Sequence, residues 1–417
     1  MIKIIVFTEE QENLIKDAID WFYNKSEQLF EISGGAGTGK SVTLNEIIRR
    51  LNLYEYEYIP VAYTGAAAMV MKQKGMKEAA TIHSIFFQLI EVEDDSINTK
   101  FNTKRKIHKF VPKPVGSFDS SIKLIVVDEA FMVPFEMRNH ILKHGIKVIA
   151  CGDAQQLPPV GSSRSAFLNG MVEIHWLTAI MRQNQNNPLI WLANRAIHGE
   201  PIHSGWYDNR VLVIDREYLT DEMVLNSGNI ICGTNRTRDF INHRVRELLG
   251  RQSEFPEFGD RIICRKNSWY NISPDRYPLV NGLQGYICYP ISMKNLNYYG
   301  KRSKNDVINN VLFKADFVDF PYTININYDF LRSDYTVRKE IIESNFNRSN
   351  KFAYLYNEEL FEYAYAISVH LSQGSEYNSG IFIDENMGMD KRSFVYTAIT
   401  RFKNFLIYVK PPVTKYY

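Results

Sequence analysis

A doubly wound α/β fold is predicted by three observations. Short apolar runs recur along the chain, the first of them runs into a glycine-rich loop, and that loop opens a segment with helical spacing. Leu29 to Ser33 reads as the strand, and Leu44, Ile47, Ile48 and Leu51 then fall on one helix face. Leu124–Val127 and Val148–Cys151 are apolar without alternation, as parallel strands buried on both faces require. Strands and helices in this alternation build a parallel sheet covered by helices.

A second series of strands follows at Ile230–Cys232, Tyr363–Ile367, Ile381–Ile383 and Phe405–Val409, which predicts a second α/β layer built partly from the C-terminal residues. Between its pieces, from about Asn271 to Lys351, Asn, Tyr and short β-like segments dominate and helical periodicity fades. A small β-rich insertion is expected there. A shorter insertion, Phe86 to Ser120, begins acidic (Glu91, Glu93, Asp94, Asp95) and turns basic and aromatic around Lys100, Phe101, Lys104, Arg105 and Phe110. A solvated hairpin accounts for this pattern, and a projection that touches nucleic acid is the sharper alternative. Taken alone, the residues favour the first.

Composition narrows the classes. A chain of 417 residues exceeds one ordinary core, and 45% apolar with 23% charged residues is a globular mixture. The net charge of +2 confines any nucleic-acid site to a local basic surface. No apolar stretch is long enough for a bilayer and Met1–Gln11 has no signal-peptide core, so a cytoplasmic protein (host cytoplasm for a viral one) without membrane partners is expected. Cys151, Cys232, Cys264 and Cys288 are scattered, which argues against a zinc site or a disulfide framework. Some of the 25 Tyr and 25 Phe would be free to stack on bases, and composition does not single them out.

Chemistry concentrates after the first strand. Gly34-Gly35-Ala36-Gly37-Thr38-Gly39-Lys40-Ser41 fits the phosphate loop G-x-x-x-x-G-K-[ST] between strand and helix, the context that motif needs. Glycines let backbone N–H groups converge on phosphates, and the helix N-terminus adds partial positive charge. Gly35, Ala36, Gly37, Thr38 and Gly39 would cradle the nucleotide, Lys40 would hold its β- and γ-phosphates, and Ser41 would ligate Mg²⁺. Asp128, at the end of a buried strand, is the second expected Mg²⁺ ligand, and Glu129 would orient and deprotonate the attacking water. ATP and Mg²⁺ are thus the expected cofactors. Farther on, Gly152-Asp153-Ala154-Gln155-Gln156-Leu157-Pro158-Pro159-Val160 follows the next strand, where Gln156 would sense the γ-phosphate and the rigid prolines would carry the signal onward. A merely stiff loop fits the same spacing.

That last run resembles motif III of superfamily-one helicases, in the branch of RecD and the phage Dda helicase, and further matches follow along nearly the whole chain. Thr8-Glu9-Glu10-Gln11 resembles the Q motif, whose Gln11 would read adenine, although Thr8 and Gln11 also fit a helix capping box. Thr64-Gly65-Ala66-Ala67 resembles motif Ia with Tyr63 in place of a usual proline; Thr81-Ile82-His83-Ser84 resembles the strand-contacting segment after it; Asp128-Glu129-Ala130-Phe131-Met132 resembles motif II with Phe131 for a usual serine. Leu177-Thr178 and Met181-Arg182-Gln183 are similar to motif IV, which implies that Arg182 reaches the γ-phosphate. Ser368 to Glu376 resembles motif V and implies nucleotide contacts for Gln373, Gly374 and Glu376, with Leu371 replacing a usual lysine. Tyr396-Thr397-Ala398-Ile399-Thr400-Arg401 resembles motif VI, with Arg401 as the arginine finger.

The resemblance implies two RecA-like domains, at 1–85 with 121–180 and at 181–270 with 352–417, a pin-like insertion at 86–120 and an SH3-like insertion at 271–351. It further implies an ATP-dependent, monomeric helicase that moves 5′-to-3′ on single-stranded DNA, acts at single-strand/duplex junctions and works beside replication or recombination proteins. Strand contacts would come from Thr64, His83, Ser84, Pro158, Thr234, Asn235, His370 and Ser375, with Phe101 as a stacking candidate. A translocase that strips proteins without unwinding stays open. A GTPase switch would need an N-K-x-D reader, for which Asn235-Arg236-Thr237-Arg238 is a poor substitute. A transporter ATPase would place its signature shortly before Asp128, whereas Leu371-Ser372-Gln373-Gly374 lies far after it. A dead binding module has no need of Lys40, Asp128, Glu129 and Arg401 together.

Overall fold

The computed structural model describes residues 6–94, 105–159, 164–180, 186–253, 255–274, 277–289, 307–316, 318–347, 359–385, 387 and 391–412. They fall into two compact units: Met1–Phe87, Pro112–Asp215 and Ser372–Lys415 form the first, and Gln88–Val111 with Arg216–Leu371 the second.

The first unit is built on a parallel sheet. Its strands are β1 (Leu29–Gly34), β2 (Tyr58–Ala62), β3 (Ala80–Thr81), β4 (Leu124–Asp128), β5 (Lys147–Gly152) and β6 (Ile174–Leu177), in the order β3-β2-β4-β5-β1-β6. Every neighbouring pair is parallel. Because side chains alternate along a strand, each apolar run feeds two cores. Phe30, Ile32, Leu124, Val126, Ile149 and Cys151 join α1 (Glu9–Asn24), α2 (Lys40–Arg50) and α3 (Gly65–Gln73) on one face. Leu29, Ile125, Val127, Val148 and Ala150 face Phe86, Phe131, Ile141 and Phe167 on the other. Both faces are covered, as the runs without alternation predict.

Helix α1 starts at the expected capping box: Thr8 Oγ1 accepts the Gln11 N–H at 3.2 Å, and Gln11 Oε1 accepts the Thr8 N–H at 3.0 Å. The same unit contains a second set of strands. β7 (Gly205–Tyr207) runs antiparallel to β8 (Val211–Ile214), and β8 and β9 (Tyr377–Ile383) both run parallel to β10 (Phe402–Val409). Helix α4 (Pro188–His198) packs on α5 (Lys391–Ile399) beside them.

In the second unit, Ile230–Cys232 pairs in parallel with Ala366–Ser368. A five-stranded antiparallel sheet runs Tyr322–Asn327, Val307–Ala315, Gln284–Ile287, Arg261–Cys264, Phe361–Tyr363. The strand expected over Tyr363–Ile367 is therefore two strands in two sheets. Asn242 makes the break possible: its amide donates to the Tyr363 and Ala366 carbonyls at 3.0 and 3.1 Å and accepts the Ala366 N–H at 2.8 Å. The β-rich insertion also holds two helices that fading periodicity did not foretell, Tyr328–Arg332 and Tyr335–Asn347. Asn327 and Asp334 start them, accepting the backbone N–H of Phe330 at 2.8 Å and of Val337 at 3.0 Å. In the shorter insertion Phe87–Asp94 and Arg105–Pro112 pair as a hairpin, and Phe101 lies outside the described residues.

Candidate active site

The phosphate loop lies at the carboxyl end of β1, where parallel sheets place their ligands. Gly37 and Gly39 have φ of +81° and +85°, a region open to glycine and strained for other residues. At Gly34 a Cβ would stand 2.6 Å from Thr38 Oγ1 and 2.9 Å from the Leu177 carbonyl, so only hydrogen fits. Thr38 Oγ1 donates to the Gly35 carbonyl at 3.0 Å, and Lys40 Nζ donates to the Gly34 and Gly35 carbonyls at 2.7 and 3.0 Å. Gln11 is buried, and its amide donates to the Thr38 carbonyl at 3.3 Å. Gln11, the N3 member of the capping box of α1, is thereby also a strut of the phosphate loop.

Two carboxylates stand at the end of β4. Glu129 has φ of +50°, uncommon for a non-glycine residue, and Asp128 Oδ1 accepts its N–H at 2.9 Å. Burial pushes both carboxyls up from their ordinary range. At Asp128 the lysines Lys74 and Lys40 oppose it; at Glu129 Arg401 opposes it and the Asp128 charge adds to it.

The loop after β5 is gripped by groups from α5, from Arg401 just beyond it and from the segment before β9. Arg401, 4% exposed, donates from Nη2 to Gln156 Oε1 at 2.9 Å and from Nε to the Thr397 carbonyl at 3.1 Å. Gln156 Nε2 donates to Asp153 Oδ2 at 3.4 Å. Thr397 Oγ1 accepts the Leu157 N–H at 3.0 Å, and Gln373 Nε2 donates to the Leu157 carbonyl at 3.0 Å. Tyr396 closes the circuit: its hydroxyl donates to Asp153 Oδ2 at 2.6 Å and accepts the Ala36 N–H of the phosphate loop at 3.0 Å. Burial and the Asp153 charge hold the Tyr396 hydroxyl well above its ordinary pKa, so it stays protonated and able to donate.

The structure thus brings Gln11, Gly35, Ala36, Lys40, Asp128, Glu129, Gln156, Gln373 and Arg401 into one unit. Gly374, at φ +76°, packs so closely that a Cβ there would lie 2.8 Å from Thr64 Oγ1. Glu376 forms ion pairs with Lys74 at 3.4 Å and Lys403 at 2.5 Å. Arg182 lies outside the described residues. Sequence reasoning did not single out Asp153, Tyr396 or Lys74. The first two stand inside motifs it quoted, where a buried hydroxyl facing a carboxylate has no signature in spacing.

The strand-contact candidates divide between the units. Thr64 caps α3 through Ala67 N–H at 3.1 Å; Ser84 Oγ donates to the Thr81 carbonyl at 2.8 Å; His83 lies between the rings of Tyr63 and Phe87, with centroids at 6.1 and 5.4 Å. Pro158 is half-buried, and Ser375 is buried with its carbonyl 3.4 Å from Arg401 Nη1. In the second unit Thr234 caps the helix Asn235–Leu248 through the Thr237 N–H at 3.1 Å, and His370 is exposed.

Comparison with known proteins agrees with this arrangement. The AAA domain family model matches residues 17–162. An ATP-dependent RecD2 DNA helicase of Deinococcus radiodurans is 24% identical over 90% of this chain and 46% of its own length. An ATP-dependent DNA helicase Pif1 of Campylobacter jejuni is 23% identical over 82% of this chain and 80% of its own. The crystal structure of Bacteroides Pif1 bound to ssDNA covers 98% of this chain and 93% of that one, with a TM-score of 0.55 and 18% identity. The chain is thus similar to Pif1 and RecD2 helicases over most of its length. Its parallel sheet with a phosphate loop shares the RecA-like α/β architecture of that Pif1 structure. The chain spans about half the length of the Deinococcus relative (46%) and most of the Campylobacter one (80%).

Proposed function

We propose that the chain is an ATP-dependent DNA helicase that translocates on single-stranded DNA, 5′-to-3′ as in its branch, and couples hydrolysis to duplex opening. The observation that carries this reading is the circuit Arg401–Gln156–Asp153–Tyr396–Ala36, which ties the finger arginine to the phosphate loop through the loop after β5. A simple hydrolase has no need to link its phosphate sensor to a proline-stiffened loop.

The residues fit ATP with Mg²⁺. Gly37 and Gly39 give the loop the left-handed turns that a phosphate cradle needs, and Ser41 and Asp128 offer hard oxygen donors. When bound, Mg·ATP supplies the phosphoryl group and the metal's charge. Lys40 would leave the Gly34 and Gly35 carbonyls to hold phosphate oxygens. Glu129, with its raised proton affinity, would take the proton of the attacking water. Arg401 would neutralise charge at the transferring group with a planar guanidinium, and Arg182 would assist from motif IV. Gln11 would read adenine, and Gln373, Gly374 and Glu376 would line the sugar side.

The strand would run past Thr64, His83, Ser84, Pro158, Thr234, Asn235, His370 and Ser375, whose small polar groups suit backbone contact without sequence readout. The hairpin around 86–120 would act as the pin at a single-strand/duplex junction, with Phe101 as a stacking residue, and the insertion at 271–351, which supplies three of the five strands of the antiparallel sheet, would support it as an SH3-like module. Monomeric action beside replication or recombination proteins completes the proposal. No helix of the described residues is long and apolar enough to cross a membrane.

The test is ATP hydrolysis with and without single-stranded DNA, with Lys40→Ala as control, followed by 5′- and 3′-tailed duplexes. Strong stimulation lost in the control, with unwinding of the 5′-tailed duplex, is expected. Stimulation without unwinding would favour a translocase that strips proteins. Hydrolysis indifferent to DNA and RNA would end the motor reading.

A further inference from the structure

One cation at the phosphate site has no task in the scheme above. Lys74 caps the C-terminus of α3, and Gly75 turns the chain away at φ +110°. The Asn45 side-chain amide donates to the Lys74 carbonyl at 2.8 Å, from a position one turn along α2 from Ser41. That tether fixes the root of the lysine against the helix that carries the serine. The ammonium then reaches back: Nζ lies 3.3 Å from Ser41 Oγ and 3.4 Å from Glu376 Oε1. It also acts on the Asp128 carboxylate ahead of Lys40. Glu376 is held from its other side by Lys403, 2.5 Å from Oε2.

Ser41 and Asp128 are the two groups that would hold Mg²⁺, so Lys74 brings a positive charge to the metal's corner. We propose that Lys74 is a resident cation that neutralises this corner in the nucleotide-free protein, and that a divalent cation taking Ser41 and Asp128 displaces it from Ser41 and leaves it on the Glu376 pairing it already holds. The chemistry suits the task. Two adjacent carboxylates, Asp128 and Glu129, repel each other when no metal is present, and a compact charge on a flexible four-carbon stem relieves this without a fixed geometry. A divalent ion and an ammonium in van der Waals range repel in turn, so Lys74 at Ser41 opposes metal binding there. Glu376, clamped by Lys403, already pairs with Lys74 and keeps the ammonium once Ser41 is taken. Lys74 is a positioning residue in this scheme. It sets how readily the empty site accepts metal and takes no part in bond making.

The inference rests on the nucleotide-hydrolysis reading for the identity of the metal corner, but its test uses neither DNA nor turnover. Mn²⁺ is titrated into nucleotide-free protein while the free ion is followed by electron paramagnetic resonance. Lys74→Met should bind Mn²⁺ about tenfold more tightly than wild type, the effect expected for removing one nearby, partly screened positive charge. Lys74→Arg should stay near wild type, and Ser41→Ala in the Lys74→Met background should erase the gain. Lys74→Gln provides a second neutral variant should the methionine protein fail to fold. Unchanged or weaker Mn²⁺ binding in the neutral variants overturns the proposal, as does a gain that survives Ser41→Ala. Should the gain appear while hydrolysis ignores DNA, the motor reading fails and the role of Lys74 stands.

Discussion

Arg401 shows at the scale of one residue why a guanidinium is needed and a lysine would not serve. Nη2 holds Gln156, Nε holds the Thr397 carbonyl, and Nη1 faces the Ser375 carbonyl at 3.4 Å, a forked pattern that one ammonium cannot copy. Arg401→Lys should lower kcat for ATP about a thousandfold, the lower range for a lost arginine finger, while KM for ATP moves only a few-fold. Steady-state hydrolysis over a range of ATP concentrations separates the two. Glu129 makes the pH prediction. Its proton affinity is raised by burial, and the base must be ionised to accept a proton, so activity should fall on acidification at a pH above the ordinary carboxylate range. The acid limb should vanish with the activity in Glu129→Gln. A kcat profile flat down to pH 5 would remove Glu129 from the base role. Tyr396→Phe deletes the hydroxyl that accepts the Ala36 N–H and donates to Asp153. The variant should keep nucleotide binding and lose much of the coupling between the strand and hydrolysis, seen as a smaller ratio of DNA-stimulated to basal rate.

At the scale of elements, two features of the second unit decide stability. The first is a buried charge network: Glu362, 2% exposed, faces Arg238 Nη2 at 3.1 Å, Arg338 Nη1 at 3.4 Å and Arg265 Nε at 3.6 Å. Burial alone would raise its pKa, but Arg265, Arg238 and Arg338 outweigh that and hold it below the ordinary value. The depressed folded-state pKa gives a stabilisation that is present above the unfolded pKa and lost as pH falls through the folded one. Glu362→Ala should cost about 3 kcal/mol in denaturant unfolding, because three buried arginines lose their shared carboxylate while Asp239 still pairs Arg238 and Arg338. The second is Gly285 in the antiparallel sheet, where a Cβ would enter the Lys314 carbonyl and stand 2.6 Å from Ala315 Cα. Gly285→Ala should therefore abolish soluble expression or shift the unfolding midpoint sharply. Neither feature was legible in the sequence. The parallel sheet was, because strands buried on both faces must be apolar throughout, and Leu124–Val127 and Val148–Cys151 satisfy that rule. The phosphate loop was legible for a related reason: its glycines answer a backbone demand that leaves few alternatives. The break between Tyr363 and Ala366 was hidden because one side chain, Asn242, satisfies the backbone groups there from far along the chain. The helices after Asn327 begin with polar caps inside a segment whose Asn and Tyr content masks the period.

At the scale of the whole molecule, charge constrains how a strand can be held. Forty-nine basic side chains stand against 47 acidic ones, so no overall field draws in DNA, and many of the arginines are spent on internal carboxylates such as Asp260, Asp316 and Glu362. On the proposed function, binding would then come from local contacts to a few phosphates, many of them from hydroxyl and amide groups that release no counterions. The affinity for single-stranded DNA should consequently fall with salt, but with a shallow slope: about −0.7 per neutralised phosphate, and thus about −2 to −3 overall if three or four cations contact the strand. Fluorescence anisotropy of a labelled oligothymidine between low and moderate salt measures it directly. A steep slope near that of strongly basic DNA-binding proteins would mean that a large cationic surface engages the strand, and the contact set built on Thr64, His83, Ser84, Thr234 and His370 would have to be replaced by lysines and arginines elsewhere. A slope near zero would mean that stacking dominates, which turns the search to exposed aromatic rings such as Trp206 and Phe240, 59% and 67% exposed. The same titration repeated with an ATP analogue reports whether nucleotide changes the number of phosphates held. A motor that grips and releases its track must change that number, so equal slopes in the two states would count against stepping.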